Sequence, residues 1–227
     1  MKRIAILQSS YIPWKGYFDL IHMVDEFVLF DTAQYRRNDW RNRNKIKTSS
    51  GAVWLSVPIK GHSRQRVQEA QIGDPSWKEH HWKTLVHEYA RAPYFKQYAS
   101  KFEELYLGCG ESFLSQINYR FIAAICSMLG IQTHFSWSSE FPEIEGKTER
   151  LVRWCQLLGA TEYLSGPAAK DYIEESLFRD ARVDLRYMDY SGYPEYSQLH
   201  PPFDHAVTVL DLIFNEGPNA TRFMKSF

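Results

Sequence analysis

Apolar runs and polar breaks alternate along the chain, and their spacing predicts strands and helices in turn. Ile4-Ala5-Ile6-Leu7 reads as a short buried strand. Gln8 to Tyr17 is too rich in Ser, Pro and Gly to extend it, and Phe18 to Val24 restores helical spacing. Phe27-Val28-Leu29-Phe30-Asp31 is a second apolar strand. Strand, loop, helix and strand in so short a stretch make a βαβ unit. Its first loop opens at the carboxyl edge of a parallel sheet and at a helix N-terminus. Free backbone N–H groups and the helix dipole favour anions there.

Val53 to Ile59 reads as a third strand, ended by Pro58 and a polar Gly61-His62-Ser63-Arg64 loop. From Asp74 to Leu129 the period becomes helical. Asp74 or Ser76 can cap a helix reaching about Tyr89. After Pro93, the positions Tyr94, Tyr98, Phe102, Leu105 and Tyr106 recur at helical spacing, and Phe113 to Leu129 gives a third helix closed by Gly130. Alternation then returns: strand Ile131–Trp137, helix Thr148–Leu158, strand Glu162–Ser165, helix Ala168–Phe178, strand Val183–Tyr187 and an amphipathic helix Ala206–Asn215. The expected architecture is an α/β fold with a mostly parallel, doubly wound sheet. It is read as a single domain over residues 1–227, with 74–130 as a helical insertion or cap, and with strand Ile4–Leu7 central and near strand Tyr163–Ser165.

Composition narrows the function classes. The 227 residues suffice for a full core, and charged and apolar fractions are those of a globular chain. Aromatic residues reach 15%, with Tyr and Trp prominent, the types that grip bases, sugars and partner surfaces. Net charge is zero, so nucleic acid is expected only as a local contact. Cys109, Cys126 and Cys155 are widely spaced and odd in number, which argues against a disulfide framework, and Cys126 and Cys155 fall in apolar helical patterns. The first apolar run is too short for a signal peptide and none is long enough to span a bilayer, so a cytoplasmic protein without membrane contact is expected.

Charge is uneven. Arg36 to Lys47 holds six Lys/Arg and one Asp, interleaved with Asn38, Trp40, Asn42 and Asn44. In a strand, Arg41-Asn42-Arg43-Asn44-Lys45 places cations on one face and amides on the other. A solvated face is the ordinary reading of such a run. The interleaved amides and indole favour a phosphate or carboxylate site instead. Two loops of small residues, Gln8-Ser9-Ser10 and Ser165-Gly166, would open at the same sheet edge, although Ser and Gly are also ordinary loop residues. Asp31, at a strand's carboxyl end, is a candidate general base, or equally a loop-capping carboxylate. Gly16 would leave room for an anion at the helix N-terminus. His80, His81 and His87 lack metal-ligand spacing and read as polar residues of a solvated helix face. There is no Walker loop, G-x-G-x-x-G, G-x-S-x-G or zinc signature.

Several segments together resemble the WbqC-like protein family. They are Ala5-Ile6-Leu7-Gln8, Tyr11-Ile12-Pro13-Trp14-Lys15-Gly16-Tyr17-Phe18-Asp19, Asp31-Thr32-Ala33-Gln34-Tyr35, Trp40 to Ile46, Trp54 to Ile59, Tyr163-Leu164-Ser165-Gly166 and Leu210 to Gly217. Gln8-Ser9 stands where the family is expected to carry Gln-Pro. The resemblance implies a bacterial protein of O-antigen or other surface-glycan metabolism, transferring a glycyl or other acyl group to an amino sugar. The opening is also similar to that of nucleotidylyltransferases, whose phosphate-binding His-x-Gly-His is here Trp14-Lys15-Gly16-Tyr17, without either imidazole. A nucleotide-dependent ligase or nucleotidylyltransferase relative is therefore one alternative, and a non-catalytic binder of a nucleotide-sugar or RNA end another. The expected partner is a small, phosphate-bearing substrate. Expected contacts are Gln8, Ser9, Trp14, Gly16, Tyr17, Gln34, Arg36, Asn42, Arg43, Asn44, Lys45, Ser165 and Gly166, with Asp31 catalytic. No metal is expected, and no cofactor can be named.

Overall fold

Short, mostly apolar stretches become the inner strands of a parallel sheet, covered on both faces, while the edge strands are mixed in character and partly exposed. A computed structural model of the chain describes residues 1–61 and 164 further positions from 64 to 227. The main sheet contains β1 (Arg3–Leu7), β2 (Glu26–Leu29), β5 (His134–Trp137), β6 (Glu162–Ser165) and β7 (Asp184–Tyr187), in the order β5-β2-β1-β6-β7. All four neighbouring pairs are parallel. β1 is central and pairs directly with β6, as expected.

The chain builds outward from β1 through β2 to β5, then returns to the other side of β1 and continues through β6 to β7. The direction of winding reverses between β1 and β6, and in open α/β sheets the ligand crevice lies at such a point, outside the carboxyl ends of the strands. Strand alternation divides the core. Ala5, Phe27 and Leu29 face the side covered by α1 (Lys15–His22) and α4 (Leu114–Leu129). Ile4, Ile6 and Val28 face α5 (Lys147–Leu157) and α6 (Glu175–Asp180). α2 (Trp77–Tyr89), α3 (Phe95–Leu107) and α7 (Val209–Glu216) join the first cluster, where Phe214 meets Tyr89, Phe95 and Phe102. Local signals set several ends: Gly130 closes α4 in the left-handed conformation, and the Thr208 hydroxyl caps α7 by accepting from Leu210 N–H.

Some expectations change. The third strand is not in the main sheet. β4 (Gly51–Ser56) pairs antiparallel with β3 (Arg43–Thr48) in a separate hairpin. The apolar content of Val53–Ile59 signals a strand but not its partner, and only four residues separate Lys47 from Ala52, which suits a hairpin. The expected helix Ala168–Phe178 divides into a 3-10 turn at Pro167–Asp171 and the short α6. The loop after Pro58 includes His62 and Ser63, which lie outside the described residues. His81 is not on a solvated face. It is buried, and its Nδ1 meets the Tyr11 hydroxyl at 2.8 Å, whereas His80 and His87 are exposed. All three cysteines are free and buried, and burial pushes their thiols up, to about 11 at Cys109 and about 12 at Cys126 and Cys155. No helix among the described residues is long and apolar enough to cross a membrane.

Candidate functional site

The loop from Gln8 to Trp14 leaves the carboxyl end of β1 and enters α1, and it is held at almost every residue. Asp31, just past β2, accepts from Ser9 N–H at 2.8 Å and from the Ser115 hydroxyl. Asn118 of α4 donates its amide to Ser9 Oγ at 3.0 Å and to the Arg41 carbonyl at 2.9 Å. Arg41 donates Nε to Gln8 Oε1 at 2.7 Å and Nη1 to Ser10 Oγ at 3.1 Å. The Tyr17 hydroxyl donates back to the Gln8 carbonyl at 2.9 Å. Asn44 of β3 donates to the carbonyls of Tyr11 at 3.2 Å and Ile12 at 2.9 Å. Ile12 needs that support, since its φ of 36° is a conformation that β-branched residues avoid. Such strain persists only where the surroundings over-determine it, and it gathers at ligand sites.

Above this loop lies a cavity of ≈370 Å³. Leu7, Ser10, Pro13, Trp14 and Tyr17 form the β1–α1 side. Trp40, Arg41 and Asn44 come from the basic segment, and His205 and Ala206 from the segment before α7. Arg41 spends two of its five N–H groups on Gln8 and Ser10, and its Nη2 stands 3.9 Å from the Asp39 carboxylate, so a fixed guanidinium still offers donors beside one loosely paired carboxylate. His205 carries a buried Nδ1 with no partner among the described residues. Burial, helped by the charge of Lys15, lowers its pKa, so the imidazole is neutral near pH 7. The Trp14 indole is packed edge-on by Tyr190 and Tyr193, at 5.1 and 5.4 Å. Lys15 is buried beneath, donating to the Pro194 carbonyl at 3.0 Å, and burial lowers its ammonium to about 8.

The anticipated residues are distributed as follows. Trp14, Tyr17 and Asn44 line the cavity, and Gln8 and Ser9 shape its floor. Asp31 stands behind the floor, buried, with both carboxylate oxygens engaged, and burial raises its pKa against the hydrogen bonds from Ser115 and Ser9. Gly16 does not leave space for a ligand. A Cβ there would stand 2.3 Å from Trp14 Cζ2, so the missing side chain seats the indole. The basic segment separates cations from amides as read, but the faces are the reverse of those expected: Asn44 points inward, and Arg43 and Lys45, expected to contact the substrate, point outward. There Arg43 lies 4.0 Å and Lys45 5.2 Å from the Trp54 ring centre, outside the cavity wall. Asn42 is buried and donates to the Val57 carbonyl at 3.0 Å. Arg36 is exposed, and Gln34 is exposed and bridges to Arg66. Ser165 and Gly166 close β6 beside β1 without lining the cavity.

Arg41, Ser10, Trp40 and His205 are site residues that had no assigned role. Trp40 and Arg41 stood inside the basic run. For His205 the available signal was length: Met188 to Val207 has no regular element, and so long a connection in an α/β domain is commonly functional.

Residues 8–223 match the WbqC-like protein family. A protein of Mycobacterium tuberculosis named Uncharacterized protein Rv1507c is 44% identical over 227 residues, covering 99% of this chain and 98% of its own. No solved structure matches the chain. With almost its whole length inside the family match, and a relative of that identity over the same span, the chain belongs to the WbqC-like protein family.

Proposed function

We propose that this protein is a small-group transferase of bacterial surface-glycan or nucleotide-sugar metabolism, moving a glycyl or other acyl group to the amine of an amino sugar. The observation that carries the reading is the aromatic cavity at the switch point of the sheet, with one fixed guanidinium and one partnerless imidazole on its wall. Trp14, Tyr17 and Trp40 offer faces for a sugar ring or base. Arg41 meets a phosphate or carboxylate oxygen, its geometry already set by Gln8 and Ser10. His205, neutral near pH 7, takes the proton that the amine loses as its nitrogen attacks the acyl carbon. Asp31 is a positioning residue in this account. It fixes Ser9, and through Ser9 and Asn118 the cavity floor. Arg43 and Lys45 on Trp54 sit where a longer phosphate-bearing substrate would leave the cavity past Trp40, whose ring centre is 5.3 Å from that of Trp54.

A nucleotide-dependent ligase or nucleotidylyltransferase relative is the second reading, favoured by the strand order and by a loop-to-helix turn beside β1. Parallel incubations of a nucleotide-linked amino sugar with an activated acyl donor, and with the free acid plus ATP and Mg2+, followed by mass spectrometry, separate the two. A transferase adds the acyl mass and releases the donor's carrier. A ligase releases AMP or pyrophosphate. Turnover of neither kind leaves a binding protein.

A further inference from the structure

A second cavity of ≈370 Å³ opens at the carboxyl ends of β2 and β5, on the face covered by α5, and shares no lining residue with the first. Its chemistry is a surplus of donors. Ser138 is only 2% exposed, and its Oγ accepts from Thr32 N–H at 3.0 Å and pairs with Thr32 Oγ1 at 2.9 Å. The two hydroxyls share one hydrogen bond and own two protons. One proton is therefore left over whichever oxygen donates, and no described residue accepts it. An unpaired buried donor is costly. Arg150 adds to the surplus. It spends Nε on the Ile144 carbonyl at 3.0 Å, and its terminal nitrogens have no acceptor among the described residues. The carboxylate of the lining, Glu143, is already ion-paired with Arg66. The apolar wall is Phe141, backed at 5.5 Å between ring centres by Trp154, which is itself 2% exposed and spends its N–H on the Pro142 carbonyl.

We propose that this cavity binds a small oxyanion-bearing ligand, a phosphate or a carboxylate, whose planar or apolar body rests on Phe141. Arg150 and the spare Thr32–Ser138 proton hold the oxyanion. A ligand offering only acceptors completes the site, and a cationic or donor-rich one does not.

The test is calorimetric titration of the full chain with inorganic phosphate and, separately, benzoate, at constant ionic strength. The Arg41→Gln background removes the guanidinium of the first cavity, so the binding that remains reports the second. Circular dichroism checks each variant. Adding Arg150→Gln is expected to weaken the tighter probe about tenfold or more, the size of one charge-assisted hydrogen bond. Adding Ser138→Ala instead is expected to weaken it severalfold, and decides the matter if the Arg150 variant does not fold. The tighter probe identifies the ligand as phosphate or carboxylate. Failure of both probes to bind Arg41→Gln, or equal binding with and without the second substitution, overturns the proposal. Neither result bears on the transferase reading, which concerns the other cavity.

Discussion

Replacing Asp31 by alanine should loosen the floor of the first cavity by a calculable amount. The carboxylate is 1% exposed and serves two donors, Ser9 N–H and the Ser115 hydroxyl, both buried. Each buried donor left unsatisfied costs about 1–3 kcal/mol. Ser115 can turn its hydroxyl toward a carbonyl of its own helix, whereas Ser9 N–H is fixed by the backbone. Relief of the buried charge offsets part of the loss, because burial already disfavours the ionised form. The net expectation is about 2–4 kcal/mol, or roughly 4–16 °C in Tm for a chain of this size. Asp31→Asn is the control. Its Oδ1 can still accept from Ser9, and its amide can donate to Ser115 Oγ, so the expected loss is within about 1 kcal/mol. The two variants also differ in pH response. The folded pKa of Asp31 is raised above the ordinary 3.8. Its contribution to stability is therefore complete below that value and is lost as pH rises through the folded pKa, and Asp31→Asn, lacking the group, gains on the wild type over that window. Urea unfolding at pH 4 and pH 7, compared at constant m-value, measures both effects. An Asp31→Ala midpoint equal to the wild type, or an Asn variant as unstable as the Ala variant, refutes the positioning role.

Gly16→Ala should drive the Trp14 indole from its seat against Tyr190 and Tyr193, lowering stability by about 1–3 kcal/mol, as overpacking does, and shifting tryptophan fluorescence; an unshifted spectrum contradicts it. Trp40→Ala, at a side chain 44% exposed, should cost within about 0.5 kcal/mol of stability while weakening sugar-nucleotide affinity about tenfold in calorimetry. Asn44→Ala removes the two bonds that hold the Tyr11 and Ile12 carbonyls and should cost about 2–3 kcal/mol by urea unfolding, with faster proteolysis in the β1–α1 loop. His81 is buried neutral with its pKa lowered to about 3, so its contribution is present above 6.5 and is lost as pH falls toward 3; His81→Asn, whose amide can still pair with the Tyr11 hydroxyl, should flatten that acid limb of the stability profile.

The parallel sheet was legible because its inner strands are short and mostly apolar, because strand and helix patterns alternate, and because Gly, Pro and Ser punctuate them. The centrality of β1 followed from the βαβ opening. The partner of the Trp54 strand was not legible, since apolar content marks a strand and not its neighbour. In the site, turn chemistry marked the β1–α1 loop, and period-2 alternation separated Asn44 from Arg43 and Lys45 but did not say which face turns inward. The role of Gly16 was misread because small residues admit a neighbouring side chain as readily as a ligand, and only the fold places the Trp14 ring over it. His81 and Tyr11 lie 70 positions apart, and His205 approaches the cavity from the opposite end of the chain, so no local pattern joins them.

The central claim is that the substrate lies in the cavity above the β1–α1 loop. The most direct measurement is a crystal structure grown with a nucleotide-linked amino sugar. The account predicts density for the sugar between Trp14, Tyr17 and Trp40, with a ligand oxygen on Arg41 and a polar atom within hydrogen-bond distance of the His205 ring. Ligand density elsewhere on the protein, or an unchanged cavity at saturating ligand, contradicts it.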